Sequence, residues 1–168
     1  MAELLSTPHN SPSWVIRQAK RDDVVALVNL INALNVHEGT SQTMTWQHAE
    51  YILFSDQRQV ELYCKVALIN NAVIGFVLFY RGYDTASTSF GLHISDIYVE
   101  QSARKHGIGK ALMAEVANTC LSMGGQWCSL TTAQNNHAAR VFYDACGCAV
   151  QPVEFRAMGA KGMKSIMG

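Results

Sequence analysis

Arg104, Lys105, His106, Gly107, Ile108, Gly109 and Lys110 set cations around two glycines, between an apolar strand and the start of a helix. Glycine lets a backbone approach a ligand without side-chain interference, and the N–H groups of a first helical turn carry partial positive charge. That combination is a cradle for a phosphate or pyrophosphate. Two nucleotide patterns can be tested against it and both fail. The dinucleotide fingerprint lacks its third glycine and the acid that should end the following strand, and no G-x-x-x-x-G-K-[ST] is present. Cys146-x-Cys148 has no second pair or well-spaced histidine, so no metal site is expected.

Composition narrows the partners. Thirteen basic residues balance thirteen acidic ones in 168 residues. The chain therefore has no overall field for nucleic acid or an anionic membrane, and an anion site must be local. Charged residues are 15% and hydrophobic ones 49%, which predicts surface buried between subunits, expected as a homodimer. Five cysteines without disulfide-framework spacing, and a first segment without signal-peptide character, point to a cytoplasmic location. No apolar run approaches the roughly 18 residues that span a bilayer.

These residues need elements to position them. Residues 1–13 read as a flexible lead-in and 14–168 as a single domain. Trp14 to Gln18 reads as a strand. Asp22 and Asp23 open an amphipathic helix to about Val36, and Thr45 caps a second helix from Trp46 to about Phe54. The loop between them carries His37 and Glu38 and is placed to border a pocket. Val60 to Ile69 and Val73 to Tyr80 form a hairpin turned at Asn70-Asn71. A polar loop, RGYDTASTSFG, then leads to a strand from Leu92 to Val99. A helix from about Ile108 to Met123 and a strand from Trp127 to Thr132 complete a parallel crossover. A last helix starts at Asn136 and stops at Gly147, and strand-like runs follow at 149–153, 155–158 and 163–167. The fold class is α/β: a mixed, mostly antiparallel twisted sheet with a central parallel crossover, flanked by about four helices.

The R-x-x-G-x-G of Arg104, Gly107 and Gly109 resembles the acetyl-coenzyme A site of the Gcn5-related N-acetyltransferases (GNAT). A second signature of that family, N-x-x-A-x-x-x-Y-x-x-x-G, is matched by Asn136, Ala139, Tyr143 and Gly147. Ser95-Asp96-Ile97-Tyr98-Val99 is similar to the E-D-[IL]-Y-V of small-amine and polyamine acetyltransferases, with Ser95 in place of the glutamate. The resemblance implies acetyl-CoA as cofactor and direct transfer of acetyl to a primary amine. It implies that backbone N–H groups from Lys105 to Lys110 hold the pyrophosphate, with Arg104 and Lys105 adding charge. It implies that main-chain groups of Ile97, Tyr98 and Val99 hold the pantetheine arm.

By the same resemblance Asn136 caps its helix and contacts the cofactor, while Tyr143, a phenol protonated at neutral pH, protonates the departing thiolate. His93 stands where histone-type members have a catalytic glutamate, and an imidazole can accept a proton near neutrality. Glu38 and Asp84 are the other candidates for base or amine-binding carboxylate, and Asp96 is as readily structural. Strand alternation puts His93, Ser95 and Ile97 on one face and Ile94, Asp96 and Tyr98 on the other, unless a bulge intervenes. The expected activity is acetylation of a small-molecule amine. A catalytically silent acyl-CoA-binding regulatory domain, or acetylation of a protein N-terminus or lysine, are the alternatives.

Overall fold

The computed structural model describes residues 13–167. They fall into two compact units, 13–133 and 134–167. Residues 1–12 of the expected lead-in lie outside the described residues.

The first unit is built on a five-stranded sheet in the order β1-β2-β3-β4-β5. The strands are β1 (Trp14–Gln18), β2 (Leu62–Ile69), β3 (Ala72–Asp84), β4 (Ser89–Val99) and β5 (Trp127–Leu130). Neighbours from β1 to β4 are antiparallel, and β4 and β5 are parallel. The β2–β3 turn follows its sequence: Asn70 and Asn71 take φ of 49° and 65°, the left-handed pair that a two-residue hairpin with native twist requires.

Helix α3 (Ile108–Ser122) covers one face of the sheet. Its Ile108, Leu112, Val116 and Cys120 pack with Ala67, Val77, Phe79, Leu92 and Ile94. Helices α1 (Val24–His37) and α2 (Trp46–Phe54) cover the other, where Leu27, Leu30, Ile31 and Leu53 meet Val66, Phe76 and Leu78. The central strands are therefore apolar on both sides, which explains their near-continuous hydrophobic runs. The Thr45 hydroxyl caps α2 by accepting from the His48 N–H at 3.2 Å. At the other helix start Asp23 accepts two bonds from Arg17, at 2.6 and 2.9 Å, and one from the Lys20 N–H at 2.7 Å. This joins β1 to the 3-10 turn that precedes α1.

Two expectations change. The polar loop expected at 81–91 is mostly strand: β3 continues to Asp84 and β4 begins at Ser89. Asp84 makes so short a turn possible, its carboxylate accepting from the Ala86 and Ser87 N–H groups at 3.1 Å each. Arg81 stacks over the Phe90 ring at 4.0 Å and Gly82 pairs with Gly91, so polar residues here are paired strand residues with one side in solvent.

The second unit contains α4 (His137–Ala145) and α5 (Ala160–Ile166). The strand-like runs at 149–153, 155–158 and 163–167 form no strand among the described residues. Pro152 withholds a ladder donor, and Val150, Val153 and Phe155 are 80%, 81% and 78% exposed. In place of the last run, α5 forms and its Met163 N–H donates to the Gly159 carbonyl at 3.0 Å.

Candidate active site

The glycine turn is held from three directions within the first unit. After β4, residues Gln101–Ala103 make one 3-10 turn, Lys105 adopts φ 67°, and Gly107 adopts φ 81° immediately before α3. The Trp14 indole N–H of β1 donates to the His106 carbonyl at 3.2 Å, and Ile108 is buried beneath the turn. Backbone N–H groups of residues 105–110 have no acceptor among the described residues. A Cβ built on Gly107 meets nothing within 4 Å. The turn is an open, positively polarised cradle of the kind an anion fills.

Arg104 is partly occupied elsewhere. Its Nε–H donates to the Val99 carbonyl at 2.9 Å and its guanidinium lies 5.4 Å from the centre of the Tyr98 ring. It braces the turn against the end of β4, while Lys105 and Lys110 are exposed beside it.

β4 is flanked by β5 only along residues 91–94. From 95 to 99 it has β3 on one side and no strand on the other among the described residues. The Glu100 N–H donates to the Ile74 carbonyl at 2.9 Å, and bonded pairs alternate along an antiparallel ladder. Tyr98 is thereby bonded to β3, while Ile97 and Val99 turn their amides to the open edge. This edge runs directly into the cradle.

The simple alternation of β4 does not hold. Leu78 pairs with Asp96 and Phe79 with Ile94, so Ser95 is an extra, bulged residue. His93, Asp96 and Tyr98 therefore share one face, and Ile94, Ile97 and Val99 share the α3 face. The Ser95 hydroxyl donates to Asp96 at 2.9 Å.

His93 is held by neighbours that sequence reasoning missed. Its Nδ1 lies 3.0 Å from the Ser129 hydroxyl of β5, and its ring stands 5.2 Å from that of Tyr80 on β3. In the tautomer that donates Nδ1–H to Ser129, Nε2 carries the lone pair. Trp127, read from the sequence only as the start of a strand, lies over Gly91 and reaches Gly82, which fixes β5 against β4.

Of the carboxylates proposed from sequence, Glu38 follows the last residue of α1, exposed and in no ion pair among the described residues. Asp84 is consumed by its turn; hydrogen bonding from Ser87 and Ala86 holds its carboxyl below the usual range. In the second unit Asn136 caps α4, its side-chain oxygen accepting from the Ala139 N–H at 3.1 Å. Tyr143 lies on α4 with its ring 5.3 Å from that of Phe142. No helix among the described residues is long and apolar enough to cross a membrane.

The sequence model of the Acetyltransferase (GNAT) family matches residues 31–148, from within α1 to just past α4. The chain belongs to this family. As a GNAT protein it is an N-acetyltransferase, and its relatives include small-amine acetyltransferases. Thialysine N-epsilon-acetyltransferase of Bos taurus is 30% identical over 143 residues, covering 79% of this chain and 82% of that protein. L-ornithine N5-acetyltransferase NATA1 of Arabidopsis thaliana is 31% identical over 83 residues, 49% of this chain and 36% of its own. Among solved structures, the integron cassette protein VCH_CASS6 from the mobile metagenome of V. cholerae superposes with a TM-score of 0.77 at 21% identity, covering 92% of this chain and 98% of that one. The aminoglycoside acetyltransferase meta-AAC0020, from an uncultured soil sample, gives 0.70 at 19%, covering 86% and 95%. At those identities the structures speak for the fold of this GNAT chain alone.

Proposed function

We propose that this enzyme transfers the acetyl group of acetyl-CoA directly to a primary amine of a small molecule. The observation that carries the reading is the continuous run from the unpaired amides of Ile97 and Val99 into the left-handed turn of Lys105 and Gly107 at the start of α3. Acetyl-CoA supplies the thioester. The N–H groups of 105–110 hold its pyrophosphate, aided by Lys105 and Lys110, and Ile97 and Val99 hold the pantetheine arm as an added strand would be held. Tyr98 contributes its ring under Arg104. Asn136 starts the helix that carries Tyr143.

Proton movement falls to two side chains. His93 Nε2 accepts the proton that the attacking amine must lose, with Ser129 orienting the ring through Nδ1. Tyr143 Oη donates to the departing sulfur, a role supported by the matched helix motif and by a phenol's protonation at neutral pH. Glu38 is placed less well than His93, being at a helix end with no partner to orient it. The acceptor is read as a small molecule because the relatives are named for thialysine and ornithine. A homodimer belongs to the same reading, supported by the 15% charged content.

The test is release of coenzyme A thiol from acetyl-CoA across a panel of diamines, amino acids, aminoglycosides and peptides. Tyr143→Phe should lower kcat by about 100-fold while coenzyme A affinity changes less than about threefold. Binding of coenzyme A with no thiol release from any amine would make the chain an acyl-CoA-binding domain; equal loss of turnover and affinity would remove Tyr143 as the acid.

A further inference from the structure

A cavity of about 580 Å³ opens on the His93 face of the sheet. Its walls come from α2, from the segment between α2 and β2, and from β3 and β4, all within the first unit. Tyr51 and Ile52 of α2 and Leu62 of β2 form its apolar sides, and Tyr80 and the bulged Ser95 form its end at the sheet. Tyr80 also stands against His93. The cavity therefore reaches the place where β4 parts from β5 and where the reading above puts the reacting amine.

Among the described residues, Arg58 supplies the cavity's only full-time charge. No carboxylate of the described residues lines it. Arg58 Nη1 donates to the Ser55 carbonyl at 2.8 Å, which fixes the guanidinium, and the Arg58 backbone N–H donates to the same carbonyl at 3.4 Å. The guanidinium has no ion-pair partner among the described residues. Its Nε is buried and has no acceptor among the described residues. A cation oriented by one bond, half-desolvated and uncompensated costs free energy until an anion arrives. A diamine or polyamine would bring a second positive charge into this cavity and find nothing to neutralise it.

We infer that Arg58 selects the acceptor: the amine carries a carboxylate, which enters this cavity and pairs with the Arg58 guanidinium while the amino group lies toward His93. The inference rests on the acetyltransferase reading and adds the acceptor's chemical class. It makes Arg58 a specificity residue that contacts substrate without taking part in proton transfer.

Matched pairs test it: L-ornithine against 1,4-diaminobutane and L-lysine against 1,5-diaminopentane, each the same chain with and without the carboxylate. Wild-type kcat/KM should favour the amino acid of at least one pair by about 10- to 100-fold, the range expected for a charge-assisted bond to a desolvated group. Arg58→Ala should collapse that ratio by lowering the amino-acid value and leaving the diamine value unchanged or raised. Arg58→Lys should retain part of it, since charge remains and the planar fork is lost. If the alanine variant is misfolded by circular dichroism, Arg58→Gln takes its place. Equal use of both members of each pair, or a preference that survives in the alanine or glutamine variant, overturns the assignment while leaving acetyl transfer intact. Turnover of no amine at all overturns the acetyltransferase reading and this inference together.

Discussion

Gly82→Ala should destabilise the protein only while Trp127 is present. Trp127 opens β5 opposite Gly91, and its indole extends across Gly91 to Gly82 on β3. A Cβ added at Gly82 would lie 2.9 Å from Cη2 of the indole, 3.7 Å from Cζ2 and 3.8 Å from Cζ3. Carbon atoms pack at roughly 3.5–4.0 Å, so the nearest pair overlaps, and a rigid ring pressed on the strands cannot fold away. Overpacking of this size costs about 1–3 kcal/mol. Replacing glycine by alanine in a strand recovers about 0.5–1 kcal/mol of backbone entropy. The net expectation is a loss of about 1–2 kcal/mol in wild type. In a Trp127→Ala background the three nearest atoms are gone, and the same substitution should be neutral or stabilise by up to about 1 kcal/mol.

Urea unfolding of the four proteins, followed by far-ultraviolet circular dichroism because the tryptophan itself is altered, measures the coupling, expected near 2 kcal/mol. In thermal melts that corresponds to about 4–8 °C for a chain of this size. Additive effects within about 0.5 kcal/mol would refute the placement of the indole over the glycine pair, and with it the account of what keeps Ser129 beside His93.

Asp23 should make stability pH-dependent. Arg17, first by its hydrogen bonds, and then the Lys20 N–H hold its carboxyl below the usual range, so its contribution is complete above the unfolded value near 4 and is lost as pH falls through the lower folded value. The difference between wild type and Asp23→Asn in urea midpoint should correspond to about 2–3 kcal/mol at pH 7 and shrink below pH ~4; a difference that persists undiminished at low pH would refute the ion pair as its source. At the glycine turn, Gly107→Ala meets no atom within 4 Å at φ +81°, so its cost should be backbone strain alone, about 1–2 kcal/mol, with coenzyme A affinity reduced by titration calorimetry; unchanged affinity would count against the turn as the pyrophosphate cradle.

Much of this architecture was legible because local chemistry and tertiary context agree. Asn70-Asn71 is a hairpin turn in any surroundings, Thr45 and Asn136 cap helices with their own side chains, and the two glycines at 107 and 109 open α3 where expected. What was illegible depends on neighbours distant in sequence. Ser95 carries no local sign of a bulge; only pairing of Leu78 with Asp96 and Phe79 with Ile94 reveals it. Asp84 is a plausible carboxylate until its turn consumes it. Arg58 sits in an unremarkable polar stretch, and its significance appears only when α2, Tyr80 and Ser95 enclose one space. The C-terminal runs have strand-like composition, but Pro152 interrupts them and α5 takes the last one, so composition misled.

The extra residue at Ser95 acts as a phase slip in β4. Residues on either side of it answer to different obligations: the upstream half pairs with β5 and carries His93, and the downstream half presents the main chain that leads into the glycine turn. Sequence drift can retune the first half without disturbing the second. The arrangement also has an asymmetric vulnerability. Losing that single residue would exchange inside for outside along the whole upstream half, turning Leu92 and Ile94 away from α3 and driving His93 into the core in its place.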